Sequence, residues 1–229
     1  MDTHAQERKD GGSAPRLVLA SQSPARLKLL WDAGFSPEAV VSGVDESAYD
    51  APTPYELAVI LAHAKAEAVA KQVGPGALVI GCDSVLDLGG IAYGKPDGPE
   101  DAITRWKGMR GKDGMLLTGH CLIDTREAVG AETGDGDPAR RTPYFEVGAT
   151  LVRFAELSDE EIEAYVATGE PLHVAGAFTL DGLGGSFVES IAGDPSNVIG
   201  LSLPLFRRLL AEVGVGVPEL WTRPAHSPE

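Results

Sequence analysis

The chain has 229 residues, 43% hydrophobic and 23% charged, a balance that allows one globular domain, or one domain with a cleft between two lobes. A formal net charge of −15 argues against long nucleic acid as a partner, because neutralising its phosphates needs a basic face; a nucleotide met by a few local cations and a metal is compatible. No run approaches about 18 apolar residues and residues 1–13 lack an apolar leader segment, so neither a membrane partner nor a secretory signal is expected.

The domain is expected to span residues 16–220, between tails at 1–15 and 221–229. Residues 16–20 (RLVLA) read as a short buried strand running into Ser21-Gln22-Ser23-Pro24. Ser23 suits a helix N-cap and Pro24 the first helical position, with Leu27, Leu30 and Trp31 on one face and Gly34 as the stop. Thr53-Pro54-Tyr55-Glu56 reads as a capping box opening a helix whose apolar stripe is Leu57, Ile60, Leu61, Ala64 and Ala68. Lys65 lies beside that stripe and either snorkels outward or points into a cleft.

Residues 77–82 (ALVIGC) look like a central strand ending at Asp83, and Gly89-Gly90 marks a hairpin whose second arm returns to Gly94-Lys95-Pro96. A helix from 99 to about 110 groups Ala102, Ile103, Trp106 and Met109. Residues 114–124 and 145–154 pair as long antiparallel strands across a Gly-, Asp- and Arg-rich connection at 125–143. Ser158-Asp159-Glu160-Glu161 is a second capping box, opening a helix that stops at Gly169. The glycine-rich stretch 175–191 reads as strands or a buried loop near a ligand, and Leu203-Pro204 opens the last helix. The fold class is α/β, a mixed twisted sheet with flanking helices. Cys82 and Cys121 lie in apolar stretches and read as buried free thiols of a reducing, cytoplasmic compartment.

The turn after the first strand is a candidate anion site, because a helix N-terminus presents unpaired N–H groups and a partial positive charge. Arg26 in its first turn opposes that dipole unless an anion compensates; plain capping by Ser23 with a solvated Arg26 accounts for the same residues. Neither GxxxxGK[ST] nor GxGxxG occurs. Asp83 at a strand end can hold a metal or orient a water, or can be a turn aspartate bonded to its own backbone. Lys95, between a glycine and a proline, is better fixed than a typical surface lysine and suits a transferring phosphoryl group. Val44-Asp45-Glu46 offers two carboxylates to a metal, or forms a solvated acidic turn. His63, His120 and His173 lack ligand spacing and receive no role.

In order, these segments resemble the Maf nucleotide pyrophosphatases, a family first named for septum formation. The resemblance is carried by Leu19-Ala20-Ser21-Gln22-Ser23-Pro24-Ala25-Arg26, Val44-Asp45-Glu46, Leu61-Ala62-His63-Ala64-Lys65-Ala66 and Val79-Ile80-Gly81-Cys82-Asp83-Ser84-Val85. It continues through Gly94-Lys95-Pro96, Ala175-Gly176-Ala177-Phe178 and Gly193-Asp194-Pro195-Ser196-Asn197-Val198-Ile199-Gly200-Leu201, spanning about residues 16–214.

The resemblance implies a fold similar to the inosine-triphosphate pyrophosphatases, hydrolysis of a nucleoside triphosphate to monophosphate and pyrophosphate, a divalent cation (Mg²⁺ or Mn²⁺), frequent homodimers and nucleotide-pool house-cleaning. Asp83 matches the general base; Glu46, Lys65 and Lys95 match metal- and phosphate-binding positions, with Glu46 and Asp83 on the metal. Ser21, Ser23 and Arg26 match the phosphate-gripping turn. Gln22 and Ala25 replace a usual glycine and arginine, Ser84 a frequent threonine, and Asp181 a frequent glutamine near the base. Ala25, Ser84 and Asp181 therefore match no one base specificity, although a carboxylate at Asp181 favours a base edge offering N–H donors, such as guanine. A nucleotide-binding regulator of cell division without turnover is the alternative reading.

Overall fold

Seven strands form one mixed sheet in a computed structural model that describes residues 15–126 and 142–222. Most of the 125–143 connection and of both predicted tails lies outside the described residues. Strand β1 (Arg16–Leu19) leads into helix α1 (Pro24–Asp32), and β2 (Glu38–Ala39) lies parallel beside β1. Helix α2 (Pro54–Val73) precedes β3 (Ala77–Leu88), which turns back through β4 (Ile91–Tyr93). Helix α3 (Pro99–Met109), β5 (Asp113–Asp124), β6 (Tyr144–Phe154) and α4 (Asp159–Ala167) follow. The chain closes with β7 (Val188–Ala192), α5 (Pro195–Ile199) and α6 (Leu203–Glu212). The strand order is β2-β1-β3-β5-β6-β7, with β4 on β3.

Pairing at β3 creates the site. Parallel β1 covers it only from Ala77 to Ile80, and antiparallel β4 only from Leu86 to Leu88. Between them, residues 81–85 have no strand on that side among the described residues, while β5 pairs along the other edge from Leu78 to Asp87. Asp83 is therefore not at a strand end, as its sequence suggested. It sits mid-strand, because β5 carries the strand past the point where the apolar run breaks. Asp87 instead is the turn aspartate: its Oδ1 accepts the Gly90 N–H (2.7 Å) in a hairpin whose Gly89 and Gly90 have φ of 66° and 88°.

On one face of the sheet α2 lies almost against the strands. A Cβ at Gly81 would stand 2.4 Å from the Ala62 carbonyl oxygen, and one at Gly119 would stand 2.1 Å from that of Ala58. This close approach selects small residues, so the buried face is Ala58, Leu61, Ala62, Lys65, Ala66, Val69 and Ala70. The predicted stripe is rotated from that face: Ile60 is exposed, and Ala64 and Ala68 are only half-buried. The rotation turns Lys65 onto the sheet. The Thr53 cap forms, but the Glu56 carboxylate accepts from the Thr53 hydroxyl (2.9 Å).

The opposite face holds two apolar clusters. One joins Leu19, Leu30, Ile80, Leu122, Phe206 and Leu210 under α1 and α6; the other joins Leu86, Trp106, Leu116, Phe154, Ile162 and Phe178 under α3 and α4. Trp31 belongs to neither and is exposed, since α1 is anchored through Leu27 and Leu30. Between the clusters the same face is polar. Thr118, His120, Thr150, Asn197 and Ser202 are all buried and form a seam under α5 between the two clusters.

Candidate active site

Asp83 and Lys65 meet at the gap in β3. The Lys65 ammonium donates to Asp83 Oδ1, both side chains are buried, and Glu46 Oε1 closes the group at 2.7 Å. Glu46 opens a single 3-10 turn (Glu46–Ala48) whose cap is the neighbouring Asp45, with Oδ1 3.1 Å from the Ser47 amide nitrogen. The paired acids of Val44-Asp45-Glu46 thus divide: one builds the turn, the other faces Lys65. Burial pushes the Asp83 carboxyl above its ordinary range, opposed by the Lys65 and Arg26 charges. Burial also acts on Glu46, but there the Lys65 hydrogen bond and the charges of Lys65, Lys95 and Arg26 prevail and hold it below its usual value. Two carboxylates thus share one ammonium with their proton affinities driven apart.

Arg26 enters from the turn after β1. Ser23 caps α1 by accepting the Arg26 N–H (3.4 Å), and Ser21 Oγ accepts the Ser23 N–H (3.1 Å). The guanidinium donates to Gly200 O (2.7 Å), Ser84 Oγ (3.0 Å) and Ser21 Oγ (3.3 Å). Every one of these acceptors is neutral, and among the described residues no carboxylate lies within ion-pair distance of the guanidinium. Ser84 is within 2.9 Å of Thr118 Oγ1, which itself donates to the Asn197 carbonyl (3.0 Å). Ser84 therefore gives its proton to Thr118 and presents its lone pair to Arg26. Backbone alternation sends Asp83 to the α2 face and Ser84 to the seam.

These groups line one cleft of about 670 Å³, together with Ala25, Lys95 and Asp181. The predicted site residues Ser21, Ser23, Ala25, Arg26, Glu46, Lys65, Asp83, Ser84, Lys95 and Asp181 all border it. Lys95 is exposed and has no ion-pair partner among the described residues. Asp181 is also exposed and borders the same cleft.

The model of the family described as Maf-like protein matches residues 16–213. The chain belongs to the Maf family. A protein named nucleoside triphosphate pyrophosphatase from Streptomyces avermitilis is 59% identical over 208 residues, covering 90% of this chain and 95% of that one. Its namesake in Streptomyces coelicolor is 60% identical over 207 residues, with 90% and 94% covered. One from Thermosynechococcus vestitus is 55% identical over 197 residues, with 86% and 93% covered.

Within this Maf chain, several supports of the cleft carry no local signal. Thr118, Asn197 and Gly200 hold Ser84 and Arg26 from distant parts of the chain. His120, without metal-ligand spacing, is a structural residue: its Nδ1–H donates to Thr118 O (2.9 Å) and its Nε2 accepts the Ser202 N–H (2.8 Å). Burial lowers its pKa to about 4, so the neutral ring persists. Arg105, four residues after its partner Asp101, donates to Gly94 O (2.7 Å) and steadies the approach to Lys95. Cys82 and Cys121 are free and buried; burial pushes the Cys82 thiol up to about 12, so it is an inert core residue.

Proposed function

We propose that this Maf-family chain hydrolyses a nucleoside triphosphate to the monophosphate and pyrophosphate. The observation that carries the reading is the convergence of Asp83, with its raised proton affinity, and three cations, Lys65, Arg26 and Lys95, on one cleft. Lys65 occupies Asp83 Oδ1 and leaves the second oxygen to take a proton from water. That water's oxygen bonds to the α-phosphorus while the bond from the α-phosphorus to the α–β bridging oxygen breaks, and pyrophosphate leaves with the electron pair. Arg26 and Lys95 offset the charge gathering on it, aided by the amides of the Ser21–Arg26 turn.

Glu46 and Asp83 are the groups we assign to a divalent cation, Mg²⁺ or Mn²⁺. Their hard oxygens, brought together by Lys65, fit an ion that takes one or two carboxylates and completes its shell with water and substrate phosphates. Such an ion would neutralise charge developing on the phosphate oxygens. Asp181, exposed on the cleft lining, is assigned to the base, where a carboxylate accepts from N–H edges such as that of guanine. Removal of non-canonical nucleotides from a cytoplasmic pool is the role this activity would serve. No described helix is long and apolar enough to cross a membrane.

A panel of common and modified triphosphates, with pyrophosphate and orthophosphate measured separately, tests the reading. Pyrophosphate release that disappears in Asp83→Ala is expected. No pyrophosphate from any member, or orthophosphate in its place, would overturn it.

A further inference from the structure

The part of the cleft that carries Asp181 depends on a carboxylate outside the cleft lining. Glu170 opens a one-turn 3-10 helix (Glu170–His173) after α4. Its Oε1 accepts from the Thr179 hydroxyl, from the Tyr165 hydroxyl (3.1 Å) and from the Gly184 N–H (3.0 Å). Its Oε2 accepts the Leu183 N–H (3.0 Å). The loop is wrapped closely around this hub: a Cβ at Gly182 would lie 2.7 Å from Glu170 Oε2, and one at Gly184 would lie 2.4 Å from Tyr165 Oη. No Lys or Arg pairs with Glu170 among the described residues, so its charge is satisfied by loop amides and hydroxyls alone. These donors outweigh the cost of desolvation and hold its carboxyl below the usual range.

The bonded residues bracket Asp181. Thr179 lies two positions before it and Leu183 two after, while the Asp181 side chain itself is exposed on the cleft wall. We infer that Glu170 is a positioning residue for base selection, fixing the 179–184 loop so that Asp181 meets the base of a bound nucleotide. The inference rests on the proposed nucleotide site and deepens it. Glu170 contacts none of the residues assigned to the phosphates, so its loss should weaken recognition of the base and spare that of the triphosphate.

Binding separates the two effects without relying on turnover. Dissociation constants of α,β-methylene analogues of a purine and a pyrimidine triphosphate would be measured beside that of inorganic tripolyphosphate, in the full chain, in Glu170→Gln and in Thr179→Val. Gln keeps one acceptor oxygen but presents an amide NH2 donor where Oε2 accepted, and Val removes a single hydroxyl donor with little risk to folding. The preferred analogue is expected to weaken roughly tenfold in Glu170→Gln and a few-fold in Thr179→Val, with the purine-to-pyrimidine ratio moving toward one and tripolyphosphate within about twofold. An unchanged ratio in both variants would sink the inference, as would parallel weakening of tripolyphosphate, which marks general loosening. Discriminating binding by the parent chain without pyrophosphate release would instead overturn the proposed hydrolysis and leave the Glu170 assignment standing.

Discussion

At one wall of the cleft, Arg26 is fixed by Gly200, Ser84 and Ser21, and Asp83 and Lys65 are buried against each other between α2 and β3. At the other wall Asp181 stands exposed on a loop of 3-10 turns, tied down chiefly by Glu170. The first wall is tied to the polar seam and to the helix that packs on Gly81 and Gly119. The second is attached to a core but not built from it. A triphosphate is the same for every nucleoside, so its grip can be locked into packing. A base varies, and the residues facing it can vary without disturbing Gly81, Gly119 or Thr118. The division predicts that substitutions at the phosphate wall cost rate or stability, and those at the base wall cost selectivity.

The largest effect belongs to Asp83. Asp83→Asn keeps the shape and an acceptor for Lys65 but cannot take a proton, and kcat is expected to fall about 10³-fold or more. The pH profile gives the sign. The ionised form is the base and burial raises its proton affinity, so activity climbs with pH through a midpoint above the ordinary 3.8. Lys65→Met removes the chief opposing charge and should move that limb to still higher pH. An acid limb that stays in place in Lys65→Met, recorded as kcat/KM against pH, would separate Asp83 from the base role.

The seam offers the next effect, in stability. His120 is neutral when folded, with a pKa of about 4 against 6.5 in the unfolded chain. The unfolded chain therefore takes the proton first as pH falls, and stability is lost between 6.5 and about 4, by about 3 kcal/mol. Denaturant titrations at several pH values would show this slope in the parent and a shallower one in His120→Gln. Equal slopes would mean that the seam does not couple to pH through this ring.

Arg26 and Lys95 test whether fixation matters as well as charge. Arg26→Lys keeps the charge but loses a fork that reaches two serines and a carbonyl, so kcat/KM should drop roughly 10- to 100-fold. Lys95→Arg, at an exposed side chain, should cost less than about tenfold. The reverse ranking, read from steady-state kinetics, would place the decisive cation on the exposed side chain.

Features governed by neighbours in sequence were legible: the Ser23 and Ser158 caps, the Gly89-Gly90 hairpin and the long β5–β6 pair all form where local rules put them. Asp83 was misplaced because a strand end was read from a break in hydrophobicity, whereas β5 decides it from some 35 residues away. The buried face of α2 departs from its bulky stripe because Gly81 and Gly119 bring the sheet close and favour alanines there. Within the cleft, Ser21, Arg26, Glu46, Lys65, Asp83 and Lys95 were legible through an ordered family pattern more than through any one motif. Thr118 and Glu170 were not, and Asn197 lay in that pattern without a role, since each acts through hydrogen bonds whose partners only the fold brings together.

Asp181 carries the smallest effect and the sharpest test of the comparison. Asp181→Asn removes a charge from an exposed side chain, so stability should move by no more than about 0.5 kcal/mol. Asparagine keeps one acceptor oxygen and gains two N–H donors, which lowers the match to an N–H edge and raises it to a carbonyl edge. A few-fold shift in the ratio of kcat/KM between a guanine and a uracil triphosphate is expected, with kcat on the better substrate nearly unchanged. A loss of kcat on both substrates alike would mean that the exposed loop takes part in the chemistry, and the separation between a packed phosphate wall and an adaptable base wall would fail at that residue.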